Sequence, residues 1–164
     1  MQLSLWIHIM NKLSRSRPVV LAVASSGGHW SQMLRLAPAF SGAELHYATT
    51  DPSAVGQAGE QRVHVFPDAN KDTPVRLAVC AARLAWIILK VRPDVVVSTG
   101  AAGGFLAIRM ARLIGARTMF IDSIANAREL SISARLALGV ADRVLSQWPR
   151  VAELAGVEYR GAVI

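Results

Sequence analysis

A single cysteine, Cys80, stands in the apolar run Leu77-Ala78-Val79-Cys80-Ala81-Ala82, which excludes a disulfide framework and a thiolate metal site. Its setting predicts a buried, inert thiol. Long hydrophobic runs are also missing, since no stretch reaches the ~18 uninterrupted apolar residues of a membrane-spanning helix. Neither G-x-G-x-x-G nor G-x-x-x-x-G-K-[ST] occurs, so no P-loop is present. Asp51, after the second predicted strand, is the one feature that keeps a dinucleotide-dependent oxidoreductase open as a reading. No acidic D-x-D motif occurs, and no metal site and no cofactor are predicted.

Acidic residues are scarce: 11 Asp and Glu stand against 18 Lys and Arg, a net charge of +7. This imbalance favours an anionic partner, whether nucleic acid, a phosphorylated ligand or an acidic lipid surface. The mean hydropathy of +0.34 favours lipid over nucleic acid, because a nucleic-acid binder usually sets its cations on a polar face. The start of the chain agrees. Leu3 to Met10 is apolar and contains Trp6, and Lys12, Arg15 and Arg17 follow it, the order of a short interfacial anchor rather than of a secretory signal, with a frayed terminus as the plainer reading.

With 164 residues, 52% apolar and 18% charged, the sequence suits an anchor-like segment over 1–17 and one domain over 18–164. Short apolar runs alternate with helical patterns. Val19 to Ala24, Leu45 to Thr49, Val63 to Phe66, Val95 to Ser98, Thr118 to Ile121 and Val144-Leu145 read as strands. Helical patterns follow His29, run from Pro74 to Lys90, from Phe105 to Ile114, and from Ser131 to Leu138. Such alternation predicts an α/β Rossmann-like parallel sheet with helices on both faces and ligands at the carboxyl ends of its strands.

Two glycine-rich turns carry the strongest chemical signal. Ser25-Ser26-Gly27-Gly28-His29 and Ser98-Thr99-Gly100-Ala101-Ala102-Gly103-Gly104 each leave a strand and enter a helix. Glycines let a backbone approach a ligand closely, and the N–H groups and dipole of a helix start favour an anion such as a diphosphate. Gly27, Gly28, Gly100, Gly103 and Gly104 would offer backbone donors, and Ser25, Ser26 and Thr99 hydroxyls. The plainer reading is that these glycines only permit tight packing. His29, at a helix start, is a candidate base, because its pKa lies near operating pH. His8, His46 and His64 read as structural or exposed.

These motifs, with Phe120-Ile121-Asp122-Ser123, Leu130-Ser131-Ile132-Ser133 and Gln147-Trp148-Pro149 in that order, make the chain similar to a known group from about Val19 onward. The sequence resembles the membrane-associated subunit of the dolichol-pathway N-acetylglucosaminyltransferase and its bacterial PssD-like relatives in exopolysaccharide synthesis. The resemblance implies the N-terminal, acceptor-binding half of a GT-B glycosyltransferase divided into two chains. It implies a polyprenyl-diphosphate-linked acceptor, a UDP-sugar donor carrying glucuronic acid or N-acetylglucosamine and held largely by a separate donor-binding subunit, and a place at the cytoplasmic face of the inner membrane. Asp122 stands where the family usually carries Glu, which shortens the reach of that carboxylate. Inverting transfer needs a base on the acceptor hydroxyl, and His29 is the first candidate, with Asp122 and Glu129 as carboxylates for orienting or activating the sugar. Capping, or an ion pair of Glu129 with Arg128 or Arg135, is the alternative for these two.

Arg76, Arg83 and Lys90 recur every seven residues with Trp86 on the same stripe, a pattern that suits a membrane interface or an ordinary solvated helix face. The apolar C-terminal stretch makes Trp148, Tyr159, Val163 and Ile164 candidates for holding the partner chain, or for docking back onto this sheet. A non-catalytic membrane recruiter of the catalytic partner is the second class of function.

Overall fold

The computed structural model describes residues 16–69 and 72–163, so the segment containing Trp6, and Ile164, lie outside the described residues. Strand β1, Val19–Ala24, is buried along its whole length, as a continuous apolar run requires when both faces of a sheet are covered. Next come α1 (Gly28–Arg35), β2 (Glu44–Thr49), β3 (Arg62–Val65), α2 (Pro74–Val91), β4 (Val95–Ser98) and α3 (Ala101–Leu113). Strand β5 (Arg117–Ile121), α4 (Ile132–Ala137), β6 (Arg143–Ser146), α5 (Pro149–Ala155) and β7 (Glu158–Tyr159) complete the order. Short 3-10 turns at Ala37–Phe40 and Pro52–Gly56 flank β2.

All seven strands are parallel, in the order β3-β2-β1-β4-β5-β6-β7. The chain winds outward from β1 to β3, then crosses back through α2 to place β4 beside β1. The strand order therefore reverses between β1 and β4, where a crevice opens at the carboxyl ends. Alternation along β1 divides the core. Leu21 and Val23 face Leu84, Ile87 and Ile88 of α2 and Ala107 and Ile108 of α3, and Val20 and Ala22 face Trp30, Met33 and Tyr47. Trp30 packs edge-on to Tyr47 and donates its indole N–H to Gln57, 2.9 Å away, so this large side chain is buried with its polar group satisfied.

Helix α2 begins at Pro74 and ends where Arg92 turns left-handed, at φ 49°, before Pro93. Helix α3 starts four residues before the predicted Phe105, and α4 is entered through Ser131, whose hydroxyl accepts from the Ala134 N–H. Helix α5 and β7 have no counterpart in the predicted elements. With seven and two residues they are too short to display a period, and Gly156 at φ 66° makes the turn between them.

Candidate functional site

The loops after β1, β4 and β5 meet at the point where the strand order reverses. In the first, Gly27 at φ 70° precedes α1, whose first-turn N–H groups have no partner within the helix and carry the positive end of its dipole. The Ser26 N–H is donated to the Thr50 hydroxyl, 2.9 Å away, which ties this loop to the end of β2. Gly27 and Gly28 are exposed, as the diphosphate reading requires.

The second loop is locked to the first by a reciprocal pair of hydrogen bonds. His29 Nδ1 lies 2.8 Å from the Thr99 carbonyl, and the Thr99 hydroxyl donates to the His29 carbonyl, also at 2.8 Å. A carbonyl oxygen can only accept, so Nδ1 carries a proton, and Nε2 is the acceptor of this ring in its neutral form. Gly100, at φ 140° and ψ −169°, makes room for that ring: a Cβ there would lie 2.4 Å from His29 Cε1. No side chain tolerates that contact or that backbone region. Ala101 follows at φ 63°, a left-handed alanine at the entry to α3, beside the imidazole.

Three expectations change here. Thr99 is fully buried with its hydroxyl given to His29, so it clamps the loops instead of contacting a diphosphate. Gly103 and Gly104 lie inside α3 and are buried; a Cβ on the first would fall 2.6 Å from the Phe66 ring and on the second 2.0 Å from Ser98 Oγ. Their work is close packing of α3 on the sheet. Asp122 is buried, and both of its oxygens are engaged: Oδ1 accepts from the Ser123 N–H and Asn126 Nδ2, and Oδ2 from the Ser131 N–H at 2.8 Å. It shapes the loop after β5 and is not among the residues that line the cavity there.

That loop and α4 wall a cavity of about 480 Å³, lined among others by His29, Ala101, Ser123, Asn126, Ser131 and Arg135. Its size is that of a small-ligand site. Glu129 also lines it, but its carboxylate is exposed and paired with Arg135 at 3.0 Å. Asn126 was not a sequence candidate; its signal, a polar residue four positions beyond a buried Asp, becomes legible only once the loop closes. Asp51 accepts from the Ser53 N–H and hydroxyl as the cap of a 3-10 turn, which removes the one feature that favoured a dinucleotide.

Arg76, Arg83, Trp86 and Lys90 are all exposed on α2, among the exposed apolar Val75, Val79 and Leu89. The Arg83 guanidinium and the Lys90 ammonium lie 4.6 and 4.8 Å from the centre of the Trp86 ring, one cation–π contact each. Among the described residues no helix is long and apolar enough to cross a membrane. At the other edge, the Trp148 indole donates to the Ile124 carbonyl at 2.7 Å, Tyr159 lies in β7, and the Val163 N–H donates to Gln147 Oε1 at 2.8 Å. The C-terminal stretch thus docks back on its own sheet, leaving Trp148 and Tyr159 partly exposed.

Over residues 68–163 the sequence matches the family described as oligosaccharide biosynthesis protein Alg14 like. The chain belongs to the Alg14 family. The UDP-N-acetylglucosamine transferase subunit ALG14 of Yarrowia lipolytica is 26% identical over 179 residues, covering 91% of this chain and 82% of its own length. The subunit of the same name from Eremothecium gossypii is 28% identical over 166 residues, covering 82% and 74%. In fold, the chain is similar to the crystal structure of Acinetobacter baumannii MurG, with a TM-score of 0.67 and 14% identity over 90% of this chain. It spans only 45% of the length of that structure. The Rossmann-like sheet equivalent to the N-terminal half of a GT-B glycosyltransferase is therefore the fold found. The Alg14 match takes in α2, Gly100, Asp122, Glu129 and Trp148, and the Ser25–His29 turn precedes it.

Proposed function

We propose that this chain is the acceptor-binding, membrane-associated subunit of a two-chain inverting glycosyltransferase. It receives a polyprenyl-diphosphate-linked sugar, as the PssD-like enzymes of exopolysaccharide synthesis do, at the cytoplasmic face of the inner membrane. A separate donor-binding subunit brings the UDP-sugar, and the names of the ALG14 relatives favour N-acetylglucosamine as the sugar moved. The observation that carries this reading is the cavity where the strand order reverses, in which Thr99 holds His29 by Nδ1 and leaves Nε2 beside the starts of α1 and α3. Nε2 takes the proton of the acceptor hydroxyl as its oxygen attacks the sugar's anomeric carbon and UDP departs. Ser25, Ser26, Gly27 and Gly28, with the first turn of α1, hold the acceptor diphosphate. The exposed stripe of α2 rests on the membrane, apolar residues toward the acyl boundary and cations toward headgroups.

The test is glycosyl transfer by the reconstituted pair with His29→Ala. Turnover falls about 10²–10⁴-fold if the imidazole is the base. The two-way clamp with Thr99 favours a second reading, that His29 only fixes the loops and the chain recruits a partner that performs all the chemistry. Unchanged turnover in that variant selects the recruiter.

A further inference from the structure

At the opposite end of the strands from the cavity just described, the starts of β2 and β3 and the last turn of α2 enclose a second hollow of about 420 Å³. Glu44, His46, Arg62, His64 and Lys90 line it, with Val19 and Val91 as its apolar walls. The two imidazoles stack at 5.5 Å between centres, with His46 Nδ1 3.1 Å from His64 Nε2 and His46 Nε2 3.1 Å from Glu44 Oε1. The carboxylate accepts, so His46 donates through Nε2; in a neutral pair its Nδ1 then accepts from His64 Nε2. His64 Nδ1 is left as the outer end of this chain.

The charge around that end is one-sided. Burial first, and then His46, Lys90, Arg83 and Arg62, push the His64 pKa down to about 4. Among the described residues no carboxylate pairs with Arg62, Arg83 or Lys90, and the one acid in the hollow, Glu44, already holds His46. Two permanent cations, Arg62 and Lys90, thus line the hollow against one committed carboxylate, an arrangement that repels a metal ion and favours an anion. Lys90 also packs on Trp86, and Leu89 beside it is exposed, so the hollow opens onto the apolar stripe of α2.

We propose that this hollow binds the phosphate diester headgroup of an anionic phospholipid, with Arg62 and Lys90 on the phosphate oxygens and Trp86 and Leu89 at the acyl boundary. This rests on the reading that the outer face of α2 meets the membrane, and it adds a ligand class and a place for it. Two cations with a titratable imidazole between them suit a single negative charge of this kind.

Co-sedimentation of the full chain with vesicles tests it, using phosphatidylcholine alone and phosphatidylcholine with an equal share of phosphatidylglycerol. The mixed vesicles bind the chain more tightly, and Arg62→Gln, an exposed position outside the apolar stripe, removes about five-fold of that affinity. Arg35→Gln, the same loss of charge at an exposed position of α1, leaves it nearly unchanged. The His64 ring resonances shift on addition of phosphatidylglycerol micelles and titrate at higher pH in their presence. Equal losses from Arg62→Gln and Arg35→Gln, with His64 unmoved, overturn the headgroup site and reduce the effect to diffuse charge. Saturation of the same His64 shift by inorganic phosphate, with no preference between vesicles, overturns the lipid in favour of a free phosphate. Equal binding to both vesicles that is lost in Trp86→Ser keeps the membrane reading and rejects the headgroup site. Absence of binding to either vesicle rejects both.

Discussion

The cavity between the loops after β1, β4 and β5 and the outer face of α2 are built on opposite plans. In the cavity the buried polar groups are spoken for. His29 and Thr99 exchange two hydrogen bonds, and Asp122 spends both oxygens on its own loop. On α2 Arg83 and Lys90 lie over an indole, Arg83 also donates to the Val65 carbonyl, and apolar side chains stand open to solvent. The first plan fixes a few atoms to within fractions of an ångström, at the cost of unusual backbone at Gly100 and Ala101. The second tolerates exchange of residues as long as sign and hydropathy persist, as contact with a fluid surface permits.

Four measurements break or sharpen this contrast. Gly100→Ala forces a methyl group into the His29 ring, and transfer by the reconstituted pair falls about 100-fold while vesicle binding is unchanged; loss of both together would show that the two regions are not independent. Asp122→Asn removes a buried charge that accepts two backbone N–H groups and one amide. It lowers stability by about 2 kcal/mol, read as a fall in Tm of roughly 4–8 °C, and a variant as stable as the wild type would return Asp122 to the list of chemical groups.

The third measurement concerns pH. Between pH 6.5 and about 4 the unfolded chain carries a proton on His64 that the folded chain does not, so acid destabilises the fold across this window and the group contributes no slope above it. Thermal unfolding against pH shows a shallower fall in Tm for His64→Gln, and identical profiles would mean that the imidazole is not held neutral. Smallest of the four, Glu129→Gln breaks an exposed pair with Arg135 and shifts stability by about 0.5 kcal/mol or less. Transfer stays near the wild-type rate; a hundred-fold loss would make Glu129 the carboxylate that Asp122 is not.

The elements legible in the sequence are those whose cause is local. Val19 to Ala24 and Val95 to Ser98 read as buried strands because nothing else explains an apolar run of that length between turns, and Pro74 and Arg92-Pro93 bracket α2 through restrictions that need no tertiary partner. The start of α3 was not legible, because Gly103 and Gly104 look like loop residues until Phe66 and Ser98 press against them. Asp122 and Thr99 failed as site candidates for the same reason. Whether a carboxylate or hydroxyl is free depends on who else reaches it, and the partners come from Ser131 nine residues on and from His29 seventy residues back. The helix start at Gly28 and His29 was legible because a glycine pair after an apolar run marks such a turn without help from tertiary partners.

The sheet ends in a four-residue strand on one side and a two-residue strand on the other. Outer strands that short display too few unpaired backbone groups to template another strand, and Arg62 adds a charge to the first of them. Growth of the sheet into a fibre, or recognition by strand addition, has almost nothing to grip. Among the described residues, contacts are therefore left to the loop end and to the outer face of α2, which point mutation can rewrite without disturbing the ladder that holds the fold.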